Sequence, residues 1–145
     1  MSDGLLRGLM GLGFIGNLKG AGTAASLATV VLAWFLPQQS LLPVAIACTL
    51  LGLACCAPVV GRFGQKDPGW FVWDELCGMM ISVLAAPKSF LYYAAAFALF
   101  RLFDIWKPGP IRWLETSTGA TSIMNDDLAA GVLTASILFA FLKFV

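Results

Sequence analysis

Five long apolar runs, parted only by short polar hinges, limit what this chain can fold into more than any other feature. They cover roughly Gly22 to Leu36, Leu41 to Val60, Phe71 to Pro87, Ser89 to Phe103 and Leu128 to Val145. A helix needs about 17–25 apolar residues to cross the hydrocarbon core of a bilayer. The second run is long enough as it stands, whereas the first and fourth must borrow flanking residues or thin the bilayer locally. Helix is the only option for such segments, because an open strand edge in lipid leaves backbone groups unpaired. The expectation is an all-α polytopic membrane bundle of about five helices (four to five), with residues 1–145 as one integral-membrane domain. Composition agrees: 12% of the residues are charged and 59% are hydrophobic, against about a quarter charged in an ordinary soluble domain.

The basic residues set an orientation. With the N-terminus cytoplasmic, Arg7, Lys19, Arg62, Lys66, Lys107 and Arg112 all lie on the inner side, while the outer hinges, Pro37 to Ser40 and the stretch around Lys88, hold one basic residue. That asymmetry matches the positive-inside rule. Lys143 then snorkels at the outer surface. Trp34, Tyr92 and Tyr93 suit the outer interface, and Trp70, Trp73, Trp106 and Trp113 the inner one. Residues 1–20 are punctuated by glycines at positions 4, 8, 11, 13, 16 and 20. They are too short and broken to span, and read as an interfacial or re-entrant segment.

Several function classes fall away. There is no histidine, which excludes Ser-His-Asp and Cys-His catalysis and the usual zinc sites. A net charge of +1 without a basic stretch leaves no footprint for nucleic acid. Cys48, Cys55, Cys56 and Cys77 stand in apolar surroundings without a C-x-x-C pair, and read as small buried hydrophobes.

The acidic residues are the main clue. Asp67, Asp74, Glu75, Asp104, Asp126 and Asp127, six of the eight, gather at the inner ends of three or four helices. A carboxylate in the middle of a bilayer costs about 2.5–3.5 kcal/mol, so those near apolar runs need a reason to be there. Acidic residues at a helix N-terminus complement the macrodipole, which is the plainer explanation of either doublet taken alone. Two doublets entering from one membrane face, followed by Gly78 and Gly131 respectively, point further, because adjacent carboxylates repel and a divalent cation relieves the repulsion. Oxygen-only donors favour magnesium, calcium or manganese. Arg101, Asp104 and Lys107 recur every three residues along one helix side, just before Pro108 and Pro110, and Arg112 follows. A self-neutralising interfacial ion pair is one reading of that pattern. The other is a phosphate site, since cations beside a metal-binding carboxylate cluster are what a phosphate ester requires.

The strings Lys66 to Gly78 (K-D-P-G-W-F-V-W-D-E-L-C-G), Phe100 to Trp113 (F-R-L-F-D-I-W-K-P-G-P-I-R-W) and Ile123 to Gly131 (I-M-N-D-D-L-A-A-G) resemble, in order and spacing, three signature stretches of the phosphatidylglycerophosphatase A family. These are multi-pass lipid phosphatases of the bacterial inner membrane. The resemblance runs from about Gly11 to the C-terminus and implies a magnesium-dependent phosphomonoesterase that converts phosphatidylglycerophosphate to phosphatidylglycerol at the cytoplasmic face. By position it implies catalytic roles for Asp67, Asp74, Glu75, Asp104 and Asp127. Asp74, Glu75, Asp126 and Asp127 would be Mg2+ ligands, and Arg101, Lys107 and Arg112 would grip the substrate phosphate. Water and an aspartate both remain open as the nucleophile. The loop from Asn17 to Ser26 departs from the family's S-P-x-x-P-G-T-x-G-S pattern, keeping only Gly22, Thr23 and Ser26.

The alternative from another class is an ion transporter or channel subunit that uses the carboxylates as a pathway. Such a path needs ionisable residues in the middle or outer half of the spans, where this chain has almost none. A CDP-alcohol phosphotransferase needs a D-G-x-x-A-R stretch, which is absent from the sequence.

Overall fold

The computed structural model describes residues 2–64, 68–115 and 119–144, and among them every regular element is helical. In chain order these are α1 (Asp3–Met10), a 3-10 turn (Ile15–Asn17), α2 (Ala21–Phe35), α3 (Gln38–Phe63), α4 (Trp73–Leu84), α5 (Phe90–Trp106), α6 (Gly109–Glu115) and α7 (Ser122–Phe144). Each of the five apolar runs becomes one helix.

Two of these, α3 and α7, are long and apolar enough to cross a membrane. In each, only 28% of the apolar window is buried, so most of the surface is apolar and faces outward. Leu42, Ile46, Leu50 and Leu51 on α3, and Val132, Ile137, Phe139 and Phe141 on α7, are all exposed. A water-soluble monomer rarely leaves so much contiguous apolar surface uncovered, whereas lipid solvates it. The shorter helices reach the same far face as their neighbours: Lys88 Nζ, before α5, donates to Leu36 O after α2 at 2.9 Å, and Gln38 Nε2 donates to Ala86 O after α4 at 3.4 Å.

The shortest of the apolar helices, α4, is the axis of the bundle, packing on α2, α3, α5 and most extensively α7. Nine of its twelve residues are buried. Its contact with α7 is backbone on backbone: a Cβ on Gly131 would run into Gly78 O, and one on Gly78 would meet Asp127 O at 2.6 Å and the Phe100 ring. Small residues let helices approach closely where lipid offers no hydrophobic drive. The buried Ser82 and Thr134 hydroxyls are satisfied within their own helices, donating to Gly78 O and Ala130 O, both at 2.9 Å.

The N-terminal helix α1 has only eight residues, well short of the length a full crossing needs. Ser2 caps α1 by accepting from Leu5 N at 3.3 Å, while Asp3 in the first turn and Arg7 in the last complement the dipole. Leu6 and Met10 are fully buried and Leu5 faces outward, as in a helix lying along a surface. Arg62 pairs with Asp3 at 3.1 Å and Arg7 lies over the Trp70 ring. Trp73 differs from the interfacial expectation: it is buried, because its indole N–H turns inward to donate to Cys48 O at 2.8 Å. Cys55, Cys56 and Cys77 are buried, Cys48 is partly so, and all four are free thiols.

Gly131→Ala should cost about 1–3 kcal/mol of stability, as overpacking against a rigid carbonyl does. Gly61→Ala, where an added Cβ meets nothing within 4 Å, should cost nothing. Thermal unfolding in detergent separates the two; equal unfolding temperatures would refute the backbone contact.

Candidate active site

The site is built where α2, α4 and α7 begin and α5 ends. Asp74 and Glu75 occupy the first turn of α4. No side chain of the preceding residue caps that helix; instead Glu75 N donates to Asp74 Oδ1 at 3.0 Å. Asp127 comes from the first turns of α7. One carboxylate oxygen from each of Asp74, Glu75 and Asp127 lies within 4.8 Å of the others. Asp104, from the last turn of α5, stands within hydrogen-bonding reach of Asp127. Asp74 is only 7% exposed and Asp127 only 3%, and Glu75 Oε2 is buried with no hydrogen-bond partner.

Carboxylates crowded this closely away from water repel one another, and a cation bound among them relieves that repulsion. The donors are all oxygens and one of them has no partner, which is the chemistry of a hard divalent ion.

Cations close the site on two sides. Arg101 forms an ion pair with Asp104 that lacks hydrogen-bond alignment, and its Nε has no partner. Lys107 Nζ donates to Asp126 Oδ2 at 2.7 Å. Lys107 caps α5 at φ 47°, ψ 64°, a left-handed conformation that is uncommon outside glycine. Arg112 is exposed on α6 and shares a cleft of about 250 Å³ with Ile105, Trp106 and Lys107.

The structure thus brings together Asp74, Glu75, Asp104, Asp127 and Arg101, with Lys107 and Arg112 to one side. Asp126 stands apart from the expected ligand set, paired with Lys107. Successive residues on a helix point about 100° apart, so the two aspartates of this doublet face different partners. Asp67, like Lys66, lies outside the described residues. Gly22 was not singled out by its chemistry: a Cβ there would overlap Glu75 Oε1 and come within 3.4 Å of Arg101 Nη1. The signal was the surviving Gly-Thr pair in an otherwise divergent loop.

Comparison with known proteins gives one family. The family described as "PgpA: Phosphatidylglycerophosphatase A" matches residues 5–142. A protein of Escherichia coli K12 named Phosphatidylglycerophosphatase A is 38% identical over 138 residues, covering 90% of this chain and 80% of that protein. One of the same name from Haemophilus influenzae is 39% identical, covering 91% of this chain and 86% of the relative. A Bacteroides thetaiotaomicron protein with the provisional name phosphatidylinositol-3-phosphatase is 35% identical, covering 94% and 93%. No solved structure matches the chain.

Gly22→Ala should push the Glu75 carboxylate and Arg101 out of register. Misplacement of about 1 Å commonly costs about 10²-fold in rate. Initial rates of phosphate release from a phosphomonoester lipid read the effect, with thermal unfolding as the folding control. A variant as active as the parent would show that α2 has no part in the site.

Proposed function

The chain belongs to the phosphatidylglycerophosphatase A family, and on that premise we propose that it hydrolyses phosphatidylglycerophosphate to phosphatidylglycerol and inorganic phosphate with the help of magnesium. The observation that carries this reading is the set of crowded, buried carboxylates flanked by Arg101 and Lys107 at one end of an apolar bundle. Asp74, Glu75 and Asp127 would hold the ion. When bound, magnesium offsets charge between carboxylates and phosphate and polarises a phosphoryl oxygen. Arg101 binds the phosphoryl oxygens and neutralises charge as the ester P–O bond breaks. Asp104, between Arg101 and Asp127, is placed to accept the proton of the attacking nucleophile at its carboxylate. Lys107, steered by Asp126, and Arg112 line the neighbouring cleft and hold the anionic headgroup. Asp67 remains a candidate by its position in the motif.

We place the enzyme in the bacterial inner membrane as a multi-pass protein, with α2, α3, α4, α5 and α7 crossing and the N-terminus cytoplasmic. Arg7, Lys19, Arg62, Lys107 and Arg112 gather at the site end, and Lys88 and Lys143 at the other, which the positive-inside rule assigns to the cytoplasm and the outer face respectively. An ion pathway has no support in this arrangement, because Asp3, Asp74, Glu75, Asp104, Asp126 and Asp127 all lie at the site end.

Asp74→Asn and Asp127→Asn should each abolish phosphate release, and EDTA should stop the parent enzyme until magnesium is restored. Magnesium should also raise the unfolding temperature of the parent, as ligands of a native state do, and leave both variants unmoved. Phosphatidylglycerophosphate, phosphatidate and phosphatidylinositol 3-phosphate assayed side by side identify the headgroup. Full activity in EDTA, or in either variant, would overturn the metal site.

A further inference from the structure

The face of α5 that carries Arg101 continues downward as an apolar wall. Phe97, Ala94 and Phe90 follow at helical spacing, so Arg101 and these three share one side of the helix. Leu27, Val31 and Trp34 of α2 stand opposite, and the two walls enclose a groove of about 450 Å³ that is almost wholly apolar. The helices meet at both ends of this groove: at the top, Gly22 lies against Arg101, and at the bottom the Trp34 ring packs edge-on against Tyr93 with centroids 5.6 Å apart. The groove thus starts about one helical turn below the proposed phosphate-binding arginine and is closed at the far end by aromatic rings.

We propose that this α2–α5 groove seats one acyl chain of the phosphomonoester lipid whose headgroup is engaged at Arg101, and that the Trp34–Tyr93 contact forms its floor. The inference rests on the lipid-phosphatase reading and adds a subsite to it. Continuity selects this occupant. A chain in the groove is tethered to a head at the carboxylate site, whereas a bulk lipid or a neighbouring helix has no group to place beside Arg101. The volume lies within the range of built ligand sites. Exposed Phe35 and Phe90 at the rim leave the side open for a chain to enter from the bilayer.

The test uses the full-length protein in detergent with two substrates of identical headgroup, one dipalmitoyl and one dihexanoyl. Ala94→Trp and Val31→Trp fill the groove from opposite walls without touching the polar site. Each should lower kcat/KM for the dipalmitoyl lipid roughly tenfold, mainly through KM, as loss of about one large side chain's worth of apolar burial does, and leave the dihexanoyl substrate nearly unchanged. A dipalmitoyl probe carrying a diazirine on one chain should label α2 and α5 residues of the groove in the parent and lose that label in the variants. An unchanged ratio between the two substrates, or labelling spread evenly over the outward faces of α3 and α7, would overturn the proposal. If the parent releases phosphate from neither lipid, the functional reading fails, while the cross-link pattern still decides the groove.

Discussion

Like charges held out of water repel, and the polar end of this bundle is organised around containing that repulsion. Asp74, Glu75 and Asp127 stand within 4.8 Å of one another with Asp104 beside them. What forces them together is not their own attraction but the packing below. Gly78 and Gly131 let α4 and α7 approach until backbone meets backbone, and each glycine lies within one turn of the carboxylates on its own helix. The cost of crowding is met by the van der Waals contacts of an interface that has no room to relax. A site of this kind is preorganised, because the helices fix the carboxylate positions whether or not a cation is present.

Much of this was legible in the sequence, and the parts that were not share a physical cause. Hydropathy marks which residues shun water, so all five apolar runs appear as helices. It does not mark where backbone hydrogen bonding changes. The third run begins at Phe71, yet α4 begins at Trp73, since Val72 N turns away to donate to Met10 O at 3.1 Å and Phe71 N to Pro68 O at 2.8 Å. The second run stops at Val60, yet α3 continues through Arg62 to Phe63 and ends only where Gly64 adopts φ 62°. Charged residues are compatible with a helix that has left the hydrocarbon, and hydropathy alone does not register them.

For the site, residue types and motif spacing identified the participants, but direction is a property of the rotated helix. Asp126 and Asp127 are neighbours in sequence and face Lys107 and the carboxylate group respectively. Asp74 and Glu75 escape the same division because glutamate is one methylene longer and its carboxylate can return toward its neighbour. Trp73 reads as an interfacial aromatic until its partner is known, and the partner is a carbonyl 25 residues earlier in the chain. Gly22 is informative only through what its absent side chain would strike.

Lys107 shows how local strain is turned to use. A non-glycine residue held at positive φ costs on the order of 1–3 kcal/mol and persists only where its surroundings over-determine it. Here the N–H of Lys107 is bound to Phe103 O at 2.8 Å, its ammonium group to Asp126, and Pro108 follows at once. The left-handed turn stops α5 and sends α6 back across the end of α7, where Ile111 is buried. Were Lys107 to continue the helix, Arg112 would be carried away from the carboxylates along the α5 axis rather than folded back beside it. The same reversal leaves Ile105 and Trp106 exposed at the cleft, residues suited to the depth at which a phospholipid headgroup meets its chains. The strained residue thus sets both the direction of the cationic arm and the level at which a lipid substrate would be received.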